Sequence, residues 1–147
     1  MPKNTRPTGF SKVTGSSKKR LYGDRAMLAC GYSALEQEGL LAMMERWNFS
    51  DMPALFAGAA DMDRTVGEIL REPAGHGKGS DSPLPRAIIL AGLTEKELNT
   101  FMAAWKHLGL PTQNWATLTP TSETWPLIDL LTELDMERIA LQSQRKA

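Results

Sequence analysis

Cysteine, histidine and long apolar runs are the scarce features of this 147-residue chain. A single cysteine, Cys30, excludes an internal disulfide, and its place in an apolar stretch predicts a buried, inert thiol. The two histidines, His76 and His107, have no neighbouring Ser, Cys or carboxylate arranged as a triad. No catalytic residue is therefore assigned, and the reading leans against an enzyme. Asp61 and Asp63 lack the glycine and distant glutamate of a calcium loop, and no Cys/His set suits zinc, so neither a metal nor a cofactor is expected. Gly77-Lys78 has Glu72 where a phosphate loop needs its first glycine and Gly79 where it needs a hydroxyl. No stretch is apolar enough to span a bilayer, and the basic N-terminal region has no apolar segment behind it. The expectation is a cytoplasmic protein.

Net charge is also absent, but only in sum. Residues 1–23 carry six basic residues and no acid, leaving eleven bases against seventeen acids in the remainder. This segment, rich in Pro, Thr, Ser and Gly, has little to bury and reads as a disordered arm. Lys12, Lys18, Lys19 and Arg20, beside Tyr22, are the candidate nucleic-acid contacts, since phosphate binding through counterion release needs clustered cations.

What the chain does have is self-similarity. Residues 25–70 overlay residues 86–131 at an offset of 61 without a gap, although only six of the 46 pairs are identical. Arg25-Ala-Met-Leu-Ala-Cys-Gly31 and Arg86-Ala-Ile-Ile-Leu-Ala-Gly92 are short apolar runs closed by glycine, the pattern of a strand buried on both faces. Ser33-Ala-Leu-Glu36 and Thr94-Glu-Lys-Glu97 follow as capping boxes. The helices after them carry Leu40, Leu41, Met44 and Trp47, or Leu98, Phe101, Met102, Trp105 and Leu108, at spacings that make one apolar stripe. Asn48 and Gly109 suit the left-handed residue after a helix end, with Phe49 or Leu110 folding back behind them.

Second strands are expected around 54–57 and 115–119. Helix N-caps are expected at Asp61 and Ser122, with closing helices at 65–71 and 125–139. The fold expected is thus α/β, with tandem βαβα repeats sharing one mostly parallel four-stranded sheet flanked by helices. The organisation runs as a basic tail (1–23), a first repeat (24–72), a flexible linker (73–85), a second repeat (86–139) and a C-terminal tail (140–147).

The second copy contains Ile88-Ile-Leu-Ala-Gly-Leu-Thr-Glu-Lys-Glu-Leu98, Leu108-Gly-Leu-Pro111, Leu118-Thr-Pro-Thr121 and Thr124-Trp-Pro-Leu-Ile-Asp-Leu-Leu131. Across about residues 86–135 it resembles a small bacterial domain of unknown function, DUF3783-like, with a degenerate copy at 25–71. The resemblance implies no reaction, ligand or catalytic residue. In the first copy Gly58-Ala59-Ala60 replaces the Thr-Pro-Thr turn and Arg64 stands opposite Trp125.

Thr119, Thr121 and Ser122 place hydroxyls at the end of a strand and the start of a helix, where open parallel sheets bind ligands. With Trp125 they are the candidate ligand site; the competing reading is capping by the hydroxyls and core filling by Trp125. Trp47, Trp105 and Trp115 read as core. Three functions are carried forward. The first is a non-catalytic regulatory or protein-interaction module, in which Met27, Met43, Met44, Met52 and Met62 supply adaptable contacts or simply fill the core. The second is a nucleic-acid accessory protein acting through the arm, and the third a small-ligand binder or enzyme at the Thr119–Trp125 turn. A protein partner is the leading expectation, with self-assembly open and no membrane partner.

Overall fold

The computed structural model describes residues 19–146, with side chains described through residue 143. Four strands, β1 (Ala26–Cys30), β2 (Ala54–Ala57), β3 (Ala87–Ala91) and β4 (Asn114–Thr117), form one sheet in the order β2-β1-β3-β4. β1 pairs parallel with β2 and β3 parallel with β4, while the central pair β1 and β3 is antiparallel. The sheet is mixed, with two of its three pairings parallel. Helices α1 (Ala34–Arg46) and α3 (Glu95–Lys106) cover one face, and α2 (Val66–Leu70) and α4 (Leu127–Lys146) cover the other.

Two-sided cover explains the unbroken apolar strands. Alternate residues point to opposite faces. Leu28, Cys30, Ile89 and Ala91 therefore meet Val66, Ile69, Leu127 and Leu130. Met27, Ala29, Ile88 and Leu90 meet Leu40, Met44, Phe101 and Trp105. Burying each large apolar side chain contributes roughly 1.5–3 kcal/mol.

The local signals fall where the residues place them. Ser33 accepts from Glu36 N–H while Glu36 accepts from Ser33 N–H, and Thr94 and Glu97 do the same. Thr65 and Glu68 make a third capping box at the start of α2. Asn48 (φ 69°) and Gly109 (φ 71°) take the left-handed conformation, and Phe49 N–H turns back to the Met44 carbonyl at 2.7 Å.

The turn after each second strand departs from expectation. Asp61 and Ser122 do not cap α-helices; residues 59–61 and 122–124 are short 3-10 turns, and α2 and α4 begin at Val66 and Leu127. Trp125 is extended (φ −84°, ψ 143°) rather than helical, because Pro126 disfavours the helical region for the residue before it. α4 also runs past the expected end at residue 139 to Lys146.

Residues 73–85, expected as a flexible linker, are tied to the body at several points. Gly75 N–H donates to Ala54 O and Phe56 N–H donates to His76 O, both at 2.8 Å, along the free edge of β2. Such cover occupies groups that would otherwise template pairing with another chain. Gln37, almost fully buried, donates to Ser80 O and accepts from Gly79 N–H, both at 2.8 Å. Leu84 closes the stretch inside the core.

Candidate functional site

The Thr119–Trp125 turn is built at the carboxyl end of β4, and the Thr119 and Ser122 hydroxyls in it are spent on each other and on its backbone. Thr119 N–H donates to Ser122 Oγ at 3.0 Å, and Ser122 N–H donates to Thr119 Oγ1 at 2.9 Å. Ser122 is buried, whereas Thr121 is exposed and its carbonyl accepts from Thr124 Oγ1. Trp125 packs partly against the core and also lines a cleft of about 370 Å³ with Pro126, Asp129, Thr132 and Glu133. The four candidate residues are thus neighbours in the chain, and of them Trp125 lines this cleft while Thr119, Thr121 and Ser122 do not.

The matching turn after β2 holds a denser polar cluster that the sequence did not reveal. Asp61, buried, accepts from Gly58 N–H at 3.1 Å, in the place where Ser122 serves Thr119. Arg64 bridges Asp61 at 3.2 Å and Glu72 at 2.8 Å, and His76 Nε2 stands 3.2 Å from both Asp61 oxygens. Burial opposes the Asp61 charge. The Gly58 N–H, His76 and Arg64 outweigh it and hold the carboxyl below its ordinary value. Cys30 lies below, fully buried, and burial pushes its thiol up to about 12. A thiol in that state is no nucleophile at neutral pH.

Two of the candidate nucleic-acid contacts, Lys12 and Lys18, lie outside the described residues. Arg20 is engaged with the body, since its Nη1 donates to Gly92 O at 2.9 Å and the residue bridges to Thr94. Tyr22 Oη donates to Glu123 Oε1 at 2.5 Å, which raises the phenol above its ordinary value. Lys19 is exposed.

The methionines and tryptophans sort unevenly. Met27, Met43, Met44 and Met52 are buried, so the core-filling reading holds for them, and Met62 packs partly against the opposite cluster. Trp105 is buried and Trp115 half-buried, their rings edge to face at 5.3 Å. Trp47 is the correction. At 41% exposure it is not core, because it caps α1 beyond the last turn that reaches the sheet.

With this geometry in place, a family match places the second half. Residues 86–141 match the family model described as Domain of unknown function (DUF3783). They form a DUF3783-like domain. No curated protein and no solved structure matches the chain. The DUF3783-like stretch covers β3, α3, β4 and most of α4, and so includes the Thr119–Trp125 turn. β1 and β2, which complete its sheet, lie outside the match. Among the described residues no group of His, Cys, Asp and Glu is placed to hold a metal ion, and no helix is long and apolar enough to cross a membrane.

Proposed function

We propose that this chain is a non-catalytic interaction module that assembles with a second copy of itself through the far half of α4. One observation carries the reading: α4 outruns the body that supports it. Its core-facing residues Leu127, Leu130, Leu131 and Leu134 are buried, but Met136, Ile139 and Leu141 are 61%, 54% and 56% exposed. Met136, Ile139 and Ala140 recur at helical spacing and form one outer apolar stripe, with Thr132 and Ser143 at its two ends. An exposed apolar stripe on a soluble helix is the usual mark of an interface.

Charge order favours a second copy as the occupant. Along α4 the acids come first, at Asp129, Glu133, Asp135 and Glu137, and the bases last, at Arg138, Arg145 and Lys146. An antiparallel pair of α4 helices centred near Ile139 sets acidic halves against basic ones, whereas a parallel pair sets like against like. The polar turns support the non-catalytic part of the reading, since Ser122, Thr119 and Asp61 are consumed in holding their own loops. The nucleic-acid reading has less behind it, because Arg20 is committed to the Gly92 carbonyl.

The two halves are read as diverged copies of one βαβα unit, residues 25–71 being the degenerate copy. Register supports this: Leu28 pairs with Leu55 and Ile89 with Ala116, the second pair being the first advanced by 61. Sedimentation equilibrium tests the assembly. The wild type is expected to be a dimer and the Met136→Asp/Ile139→Asp variant a folded monomer. A wild type that stays monomeric at about 100 μM overturns the proposal.

A further inference from the structure

A cleft of about 530 Å³ lies between the C-terminal halves of α1 and α3 and has no part in the assembly proposed above. Its walls are Trp47 and His107, whose rings are within 3° of parallel with centroids 6.4 Å apart. Small residues form the floor: Gly39, Ala42 and Ala104. Arg46 stands at the rim, exposed and with no hydrogen bond or ion pair among the described residues, and no carboxylate lines the cleft.

Each element of this arrangement has an energetic meaning. An exposed tryptophan leaves a large apolar face in water, and parallel aromatic rings at this separation accept further flat rings in offset stacks. A floor without bulky side chains lets a flat molecule approach the helix backbones. A lone guanidinium at the rim supplies two parallel donors that match a carboxylate. Both helix ends point their negative poles toward this region, and Arg46 and Lys106 in the last turns oppose that field. A doubly charged anion would gain from one arginine only, so a single negative charge fits best.

The geometry points to a binding site for a planar aromatic monocarboxylate, its rings stacked with Trp47 and His107 and its carboxylate on Arg46. The volume lies within the range of small-molecule pockets, roughly 300–1,000 Å³.

Titration calorimetry on the full chain with 2-naphthoate, and with 2-naphthalenemethanol as its uncharged counterpart, tests the assignment. The acid is expected to bind, and the alcohol about tenfold or more weakly, the loss of one charge-assisted pair. Trp47→Leu, which installs the residue type found 61 positions on at Leu108, is expected to weaken the acid by about tenfold. Ala42→Leu, at an exposed helical position, fills the floor and is expected to abolish binding without loss of fold. Absence of binding to the wild type at millimolar concentration overturns the assignment. So does equal affinity for acid and alcohol, a comparison that needs no variant, or full binding after Ala42→Leu.

Discussion

Thr65 and Pro126 face each other across an antiparallel bridge, and they are 61 positions apart. Their neighbours reciprocate: Val66 N–H donates to Trp125 O at 3.0 Å, and Leu127 N–H donates to Arg64 O at 2.8 Å. At the sheet centre Leu28 pairs with Ile89, again 61 apart. Two contacts between positions 61 apart, one in the sheet and one in the layer below, define a common axis through the molecule. The halves are joined along that axis by backbone as well as by side chains.

Joined this way, the halves are expected to unfold together. Leu28→Ala and Ile89→Ala each remove a fully buried side chain beside the axis and should cost about 3 kcal/mol apiece. Urea denaturation followed by circular dichroism should show one transition in the wild type and in both variants. Two resolved transitions would mean that the halves hold separate cores.

Gly77 is the tightest point of the 73–85 segment. It has φ 74°, and a Cβ there would lie 2.0 Å from the Phe56 carbonyl oxygen. Gly79 has φ 96° with open space around it. Gly77→Ala should therefore destabilise the fold by about 2–4 kcal/mol and Gly79→Ala by about 1 kcal/mol, the cost of backbone strain alone. Equal small losses would show that the segment does not hold the β2 edge.

Acid should weaken the fold through Asp61. Its carboxyl is held below the ordinary value of 3.8, so the charged form stabilises the folded state. That contribution is complete above the unfolded value and is lost as pH falls through the lower, folded one. Denaturant titrations from about pH 5 down to about pH 3 should show a steeper loss for wild type than for Asp61→Asn, which has no charge to lose there. Parallel curves would remove Asp61 from the acid response.

Cys30 should resist chemistry. Full burial and a thiol pushed up to about 12 predict no reaction with a disulfide reagent in buffer and complete reaction in denaturant. Rapid native labelling would place the thiol outside the core.

Much of this architecture could be read one rule at a time. Ser33 with Glu36, Thr94 with Glu97, Asn48 and Gly109 each obey a rule spanning a few residues, and each sits where that rule puts it. The antiparallel join between β1 and β3 was not legible, because strands buried on both faces carry no mark of direction. Trp47 misled because its spacing is that of a core residue, and only the end of the sheet beneath α1 decides its exposure. The Asp61, Arg64, Glu72 and His76 cluster depends on how residues 73–85 return along β2. Their backbone partners on β2 lie twenty or more positions away, and composition says nothing of that path.

The reading of α4 as a self-pairing helix meets its most direct test in an intermolecular distance. A spin label at Gln142→Cys, an exposed position, reports only on itself if Cys30 stays buried. Antiparallel pairing centred near Ile139 predicts a label-to-label separation within about 25 Å, given helix axes 8–10 Å apart. The absence of any intermolecular dipolar signal at about 100 μM, where a standard interface should be filled, would contradict it.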